Sequence, residues 1–395
     1  MTRLVVEEIK DDLLSRGYSR RQMMRVATMF GAASAFSGLN AEMAWAKSEN
    51  LARSKDAPPL VSIGGNTWAT GPMAAGLAAA TANFPQCNAY GANNAQANLV
   101  RAISQTENVP EDHVSVWPGS TEGLVHAVVA FCSPTKGFVQ ASPGYDDMKF
   151  SVDYMQAPFK TVPLKADYSH NVRAMLAADP NAGVYYICTP NNPTATITPV
   201  ADIEWLVENK PAGSVVLIDE AYIHSSDNYP NNTCAHLVSQ GKDVLVARTF
   251  SKIFAMAGAR LGFIMARPDL LKKLILYSNG GPDPVVSGPA MACGTASLMA
   301  HAEIAKRRKE MVENRAMAIE FLQKRNFKVL PSQANFFYFD WKTKTAKEMQ
   351  AAFRAQGVSI AGPRWPVWPT YSRVSVGSKQ DMEAFFNAFN KIVSA

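Results

Sequence analysis

The sequence predicts an α/β protein in which a mainly parallel sheet, of the seven-stranded type and flanked by helices, forms a large domain beside a smaller α+β domain. Short apolar runs recur between about residues 114 and 265, and helix-like stretches separate them. Such runs are typical of strands buried on both faces of a parallel sheet. After about residue 290 the chain has a long charged segment, an aromatic run and a C-terminal amphipathic pattern, which predict the smaller domain.

The predicted elements follow in order along the chain. Apolar runs predict strands of the large sheet at residues 114–117, 138–141, 184–188, 215–218, 244–247 and 261–265, and a helix at 124–131. The smaller domain is expected to contain a charged helix at 301–325, a strand at 336–339 and a C-terminal helix. One face of that last helix carries an apolar stripe that we predict to be core: Met382, Phe385, Phe386, Phe389, Ile392 and Val393.

Composition excludes some classes of function. The 395 residues carry a formal charge of +6, but the basic residues are dispersed, so nucleic-acid binding is not expected. Five cysteines lie far apart without a C-x-x-C pair or a Cys/His cluster, so no metal site is expected. Most of them are predicted to be buried apolar residues, with one disulfide left open for an oxidising compartment.

The N-terminal segment has the pattern of an export signal. Ser19-Arg20-Arg21-Gln22 opens an apolar stretch over 26–41, and Ala44-Trp45-Ala46 resembles an A-x-A cleavage site. We predict a twin-arginine signal and therefore a periplasmic or exported protein. The stretch is too short and polar for stable membrane insertion, which needs about 20 apolar residues. The alternative is an amphipathic arm that stays on a cytoplasmic protein.

Polar motifs follow the predicted strands, at the edge of the sheet where open α/β sheets bind ligands. In chain order they are Gly119-Ser120-Thr121-Glu122, Ser142-Pro143-Gly144-Tyr145, Asn191-Asn192-Pro193-Thr194, Asp219-Glu220-Ala221-Tyr222, and Thr249-Phe250-Ser251-Lys252 with Arg260. Each motif alone has an ordinary explanation as a cap, a turn, a core tyrosine or a surface lysine. Their combination and order predict a site for pyridoxal 5'-phosphate.

Three catalytic roles are assigned within these motifs. Lys252, flanked by apolar residues, would bind the cofactor's aldehyde carbon and act as general acid and base. Asp219 would keep the pyridine nitrogen protonated, as this cofactor's chemistry requires. Tyr222 would donate a hydrogen bond to the ring's phenolic oxygen.

The remaining motif residues would bind the cofactor. Asn192 would donate a second hydrogen bond to the phenolic oxygen, and Tyr145 would stack on the ring. Ser120 and Thr121 lie at a predicted helix start, where backbone N–H groups bind anions. Arg260 and Thr249 would complete the phosphate site, since a guanidinium can donate two parallel hydrogen bonds to phosphate. These residues are quoted from the printed sequence.

These motifs resemble those of fold-type I pyridoxal-phosphate aminotransferases of class I/II, and are most similar to the histidinol-phosphate aminotransferase-like branch. The resemblance runs from about Ile63 to the C-terminus. It implies that Arg373, in Arg-Val-Ser-Val-Gly, binds the substrate α-carboxylate. It also implies that Tyr90 reaches the phosphate of a neighbouring subunit, and hence a homodimer. Together with the N-terminal pattern, this organisation predicts four segments: a signal at 1–46, an arm and part of the small domain at 47–100, a large cofactor-binding domain at 101–289 and a small domain at 290–395.

The chain departs from that branch in the regions that shape the substrate pocket. Residues 66–72 read Asn-Thr-Trp-Ala-Thr-Gly-Pro where the branch has an Asn-Glu-Asn-Pro run, and Arg364 lies unusually near Arg373. A further departure is Ala195, where the family usually has glycine. We therefore expect Asn66, Trp68 and Arg364 to bind a substrate other than histidinol phosphate, with an aromatic or bulky side chain.

The sequence thus predicts a ping-pong aminotransferase that uses a small-molecule amino donor, an amino acid or related amine, and a 2-oxo acid acceptor. Two alternatives stay open. The same cofactor site could serve a decarboxylase, a lyase or an oxidase, because bond choice depends on substrate orientation. A different class would be an exported, non-catalytic binding protein on this fold.

Overall fold

The computed structural model describes residues 3–19, 22–23, 60–91, 94–278 and 286–394. Its strands are β1 (Val61–Ser62), β2 (Val114–Trp117), β3 (Phe138–Ser142), β4 (Phe159–Pro163), β5 (Val184–Cys188), β6 (Val215–Asp219), β7 (Val244–Thr249), β8 (Gly262–Met265), β9 (Lys328–Val329), β10 (Phe336–Asp340), β11 (Val358–Ser359) and β12 (Tyr371–Ser375).

The α-helices are α1 (Arg3–Ser15), α2 (Ala74–Asn83), α3 (Ala95–Glu107), α4 (Ser120–Phe131), α5 (Lys149–Tyr154), α6 (Val172–Ala178), α7 (Val200–Asn209), α8 (Ala235–Ser239), α9 (Pro268–Leu276), α10 (Gly288–Met299), α11 (His301–Gln323), α12 (Ala346–Ala355) and α13 (Lys379–Val393). Short 3₁₀ turns lie at Phe84–Gln86, Glu111–His113, Ile223–Ser225 and Ala257–Ala259.

The large sheet has seven strands in the order β2-β8-β7-β6-β5-β3-β4. Strand β8 is antiparallel to both its neighbours, and the other pairs are parallel. The predicted fold class is therefore confirmed, and every strand predicted for this sheet forms. Strand β4 was not predicted, because it is an edge strand with mostly exposed side chains and lacks a continuous apolar run.

The centre of the sheet is buried on both faces. All five residues of β5 and all five of β6 are buried, in runs of Val, Tyr, Ile and Leu. Residue pairs Cys188–Asp219 and Asp219–Ala247 are in register, so the carboxyl ends of β5, β6 and β7 lie level with one another. That register fixes where the motifs after these strands begin.

The C-terminal part forms its own small sheet. Strands β9, β10 and β12 are antiparallel and pack with α11 and α13. Met382, Phe385 and Phe389 on α13 are buried, as predicted for core residues, and Phe386 and Ile392 are partly buried against the same cluster. The prediction was wrong for Val393, which is exposed because it is the last residue of the helix. Strand β1 pairs in parallel with β11 and so joins the N-terminal part of the chain to this region. The expected domain limit at 100 falls inside α3, and α2 and α3 pack on α10.

Helix α1 lies on the large domain. It ends in a Schellman motif: Gly17 has a positive φ, the Gly17 N–H donates to the Leu14 carbonyl and the Tyr18 N–H donates to the Leu13 carbonyl. Leu13 and Tyr18 are buried in the same hydrophobic cluster as the core of α4. The apolar contact that accompanies this motif therefore also fastens the segment to the domain.

Arg16 makes the polar half of this contact. Its Nη2 donates to the Val129 carbonyl at 2.7 Å and to the Cys132 carbonyl, both at the end of α4. A guanidinium there satisfies carbonyls that the helix itself leaves unbonded and favours the negative end of its dipole. The Tyr18 hydroxyl also donates to the Cys132 carbonyl at 3.2 Å. The arginine pair at 20–21 and the predicted cleavage site at 44–46 lie outside the described residues.

Across the described part of the chain, no helix combines the length and apolar character needed to cross a bilayer. All five cysteines are free; Cys87 is exposed and the other four are buried, as expected for most of them. Within the same residues, His, Cys, Asp and Glu side chains form no group of three that could hold a metal ion.

Candidate active site

Asp219 is the last residue of the central strand β6 and its side chain is only 3% exposed. The Tyr186 hydroxyl donates to Asp219 Oδ2 at 2.9 Å, and the Ala221 N–H donates to Oδ1 at 3.0 Å. Burial raises the pKa of Asp219 to about 6, although these bonds and the charge of Lys252 favour the carboxylate. A cationic group beside Asp219 would offset the free-energy cost of burying its charge, and a protonated pyridine nitrogen is such a group.

Lys252 lies in the turn that follows β7. Its neighbours Phe250, Ile253 and Phe254 are buried, as the sequence predicted, while Lys252 itself is only partly buried. Its Nζ is 5.2 Å from the centroid of the Tyr222 ring. Lys252 is also close enough to Asp219 for its charge to lower the pKa of that carboxyl group, as expected if both contact one cofactor. The Ile253 carbonyl, next to the lysine, accepts from Arg307 Nη1 at 2.8 Å.

Tyr222, Asn192, Asn66 and Arg373 form one chain of hydrogen bonds. The Tyr222 oxygen accepts from Asn66 Nδ2 at 3.3 Å and from Asn192 Nδ2 at 3.4 Å. Asn192 Oδ1 in turn accepts from Arg373 Nη1 at 2.8 Å. Neither bond uses the Tyr222 hydroxyl hydrogen, so the phenol can donate to a bound ligand. Burial raises the pKa of Tyr222, which keeps that hydrogen in place at neutral pH.

The predicted phosphate site is a tightly packed helix start. Helix α4 begins at Ser120 after Gly119, which has φ of +85°. A Cβ at Gly119 would lie 2.6 Å from Arg260 Nη2, and one at Gly262 would lie 2.6 Å from the Gly119 carbonyl carbon. The two glycines thus let Arg260 and β8 approach the N–H groups of this turn. A cationic side chain beside a helix N-terminus fits a phosphate group.

Other predicted phosphate ligands lie around that turn. Thr249 is the last residue of β7, and its hydroxyl donates to Ser251 Oγ at 2.9 Å. Thr121 Oγ1 is 3.5 Å from the Tyr145 hydroxyl, which links the phosphate turn to the residue assigned to ring stacking. Burial, and then the charge of Asp147, raise the pKa of Tyr145 well above its ordinary value, so its ring stays neutral.

Arg364 is also near Tyr145: its guanidinium carbon is 5.6 Å from the centroid of that ring. It forms ion pairs with Asp146 at 3.2 Å and with Asp147. The indole N–H of Trp365 donates to the Gly144 carbonyl at 2.9 Å. The segment at 364–365 is thus held against the loop that carries the stacking tyrosine.

Two predicted residues lie elsewhere. Trp68 is buried in the main hydrophobic cluster, with the Arg307 guanidinium 6.0 Å from its ring, so it packs as a core side chain. Its predicted substrate contact stays a prediction. Tyr90 follows the 3₁₀ turn at Phe84–Gln86, and its side chain is 101% exposed. Within one chain it touches none of the other predicted residues.

Some residues of the site were missed by sequence reasoning. Tyr186 lies in an apolar run, and the only signal was that a buried tyrosine hydroxyl usually needs a partner. Asp147 follows Tyr145 by two residues, but its contact with Arg364 crosses 217 positions of sequence. Such long-range contacts have no local pattern.

A buried ion-pair network supports the site from behind. Arg248 on β7 is fully buried; its Nε donates to Glu220 Oε2 at 2.9 Å and its Nη1 to Glu107 Oε1 at 2.6 Å. Glu220 follows Asp219 directly, and Arg248 precedes Thr249. The network therefore ties the ends of β6 and β7 to α3, and leaving any member without its partner inside the protein would be strongly destabilising.

The fold and this set of groups define a fold-type I pyridoxal-phosphate enzyme. A sequence model of the family Aminotransferase class I and II matches residues 64–389. Histidinol-phosphate aminotransferase of Symbiobacterium thermophilum is 32% identical over 341 residues, which cover 86% of this chain and 92% of that protein. The enzyme of the same name from Acetobacter pasteurianus is 30% identical over 295 residues, covering 75% of this chain and 81% of that protein.

The chain therefore belongs to the aminotransferase class I and II family. The structure of histidinol-phosphate aminotransferase from Sinorhizobium meliloti in complex with pyridoxal-5'-phosphate matches with a TM-score of 0.74 and 21% identity, over 84% of this chain and 90% of that one, which shows the shared fold. The protein is a pyridoxal-phosphate-dependent transaminase, as the motifs predicted.

Asp219→Asn is expected to remove a pH dependence of stability from the cofactor-free protein. The folded-state pKa of about 6 lies above the ordinary aspartate value of 3.8 that applies in the unfolded chain. Between these values the folded chain holds a proton that the unfolded chain has lost, so stability falls as the pH rises. Urea unfolding measures the free energy of unfolding of both proteins at about pH 4 and about pH 7. The decrease in that free energy between the two pH values should be about 2–3 kcal/mol larger in the unaltered protein than in the variant. Equal losses would contradict the burial argument.

Proposed function

We propose that the enzyme transfers an amino group from an amino acid or related amine to a 2-oxo acid by a ping-pong mechanism. The observation that carries the proposal is the position of Arg373. It is bonded to Asn192 and, through Nη2, to the Gly64 carbonyl at 2.8 Å. A guanidinium that binds carboxylates thus belongs to the same hydrogen-bond chain as Tyr222, within the cofactor site.

Each group then has a defined task. Pyridoxal phosphate, when bound, supplies a ring that accepts the electron pair left on the substrate α-carbon. Arg373 binds the substrate carboxylate and so orients the α-carbon. Lys252 would hold the cofactor through its aldehyde carbon, and its freed amine would take up and return the substrate's α-proton. Asp219 would keep the ring nitrogen protonated, and Tyr222 would donate its hydroxyl hydrogen to the phenolic oxygen.

The half-reaction tests this proposal. Enzyme loaded with cofactor and mixed with one donor, but no acceptor, should convert its cofactor fully to the amine form and release a single equivalent of 2-oxo product. Absorbance follows the cofactor, and mass spectrometry identifies the product. Release of carbon dioxide, loss of a side-chain fragment or consumption of oxygen would instead favour the decarboxylase, lyase or oxidase. Lys252→Ala is the control, and it should keep its far-UV circular dichroism spectrum.

For the substrate, we propose an amino donor other than histidinol phosphate. The curated relatives carry that compound in their names, which makes it the first donor to compare. The support for another donor comes from the residues at 66–72 and 364–369, where the sequence departs from the branch pattern.

We also propose that the enzyme works as a homodimer in which Tyr90 reaches the partner's phosphate site. The support is its complete exposure in one chain, together with exposed Leu77 and Phe84 on the same stretch, at 57% and 64%. Large exposed apolar side chains that cluster are typical of interfaces.

Hybrid dimers test the shared site. Tyr90→Ala and Lys252→Ala, each weak or inactive alone, are coexpressed with different tags and purified together. A hybrid dimer has one of its two sites with both residues intact, so hybrids purified through both tags should have about half of the normal activity, and the unseparated mixture about a quarter. No recovery in tag-purified hybrids would show that Tyr90 serves its own subunit or none.

Finally, we propose that residues 1–46 direct export through the twin-arginine route to the periplasm. The support is the Ser-Arg-Arg-Gln motif followed by an apolar stretch and Ala44-Trp45-Ala46. Replacing Arg20 and Arg21 by lysine should leave the protein in the cytoplasmic fraction of the source cell. Unchanged fractionation, with an unprocessed N-terminus by mass spectrometry, would favour the retained arm.

A further inference from the structure

The cluster that we call the side-chain subsite consists of Asp146, Asp147, Arg364 and Trp365. Arg364 Nη2 contacts Asp147 Oδ1 and lies 3.2 Å from Asp146 Oδ1. The side chains of Arg364 and Asp147 are 24% and 19% exposed. Charge-assisted bonds of this kind are strong where water is largely excluded. The guanidinium is therefore already engaged by carboxylates of its own chain.

The subsite lies within the proposed active site. The Trp365 ring is 5.9 Å from the Arg364 guanidinium carbon and 5.4 Å from that of Arg373. Asp147 also accepts a hydrogen bond from the Tyr145 hydroxyl. A substrate whose carboxylate binds Arg373, with its α-carbon over the cofactor, therefore has Trp365, Arg364 and Asp147 as neighbours for its side chain.

The charges of the subsite do not cancel. Two carboxylates and one guanidinium leave a net charge of −1. A substrate phosphate or carboxylate would have to replace Asp147 on Arg364 and would then lie beside both aspartates, where like charges repel. An uncharged or cationic side chain leaves the ion pairs intact, and the Trp365 ring attracts both aromatic and cationic groups.

We propose that this subsite makes the enzyme select amino donors with uncharged or cationic side chains over donors whose side chain carries a carboxylate or phosphate. The inference rests on the proposed function and specifies its substrate class. Discrimination of this kind is a difference between two affinities, and the repulsive element here is the aspartate pair.

Matched donors test the selection. Glutamine and glutamate share an α-carboxylate and differ mainly in the charge of the side chain, as do serine and O-phosphoserine apart from size. We expect the uncharged member of each pair to convert the cofactor with a kcat/KM at least about tenfold higher. If no donor converts the cofactor, the proposed function itself fails. If glutamate and O-phosphoserine react as well as or better than their partners, only the subsite proposal is overturned.

Variants assign the effect to the aspartates. Asp147→Asn keeps the shape and can still accept from Arg364, but it removes one negative charge. It should raise kcat/KM for the anionic donors by about 10–100-fold relative to the uncharged ones. Asp146→Asn, at the more exposed position, should act in the same direction and serves if the first variant folds poorly. The control is Asp153→Asn, an exposed carboxylate that pairs with Lys149 on α5, which should leave the ratio unchanged.

Binding without turnover gives an independent readout. Calorimetric titration of Lys252→Ala with glutamine and glutamate should show tighter binding of glutamine, and the added Asp147→Asn should narrow the difference. A ratio of dissociation constants that is the same with and without Asp147→Asn would overturn the proposal, whatever the turnover rates.

Discussion

The site depends on a carboxylate that has been removed from water at the end of the central strand. The Asp219 carboxylate accepts one hydrogen bond from a hydroxyl and one from a backbone N–H. These two bonds do not fully offset the cost of burying the charge, so the pKa of Asp219 is raised to about 6. A positively charged ring nitrogen beside it would stabilise the ionised carboxylate and offset the remaining cost of burial. The strand register, the tyrosine of β5 and the turn at Ala221 all serve to hold this one oxygen pair in place.

The position of Asp219 is fixed from a distance. Arg248 joins Glu220 and Glu107, and the α11 arginines Arg307 and Arg315 donate to backbone carbonyls of the segments that carry Lys252 and the 3₁₀ turn after Tyr222. Helix α11 is therefore bonded to the two segments that follow Asp219 and Thr249 in the chain. Rigid support of this kind lets a lysine and a carboxylate from different strands keep a fixed separation.

The large sheet and its ligand-binding edge could be predicted from the sequence, because both are encoded in short, contiguous stretches. Strands β5, β6 and β7 are continuous apolar runs, and each ends at a polar motif, so both the sheet and its ligand edge were predictable. Strand β4 was not, since half-exposed edge strands lack such a run. The pairing of Asp147 with Arg364 and the burial of Trp68 depend on which distant segments meet, and no spacing in the sequence encodes that.

Helix α4 begins at the phosphate turn and ends at the carbonyls that Arg16 contacts. Helix α4, with twelve residues, thus has the proposed phosphate site at its positive end and the guanidinium of Arg16 at its negative end. If export removes residues 1–46, as proposed, the carbonyls of Val129 and Cys132 lose their contact with Arg16, and the apolar cluster loses Leu13 and Tyr18. The precursor and the processed protein would then differ in the contacts at the C-terminal end of α4, whose N-terminal end is the proposed phosphate site. Processing would thus change the support of the cofactor site without changing any residue assigned to it.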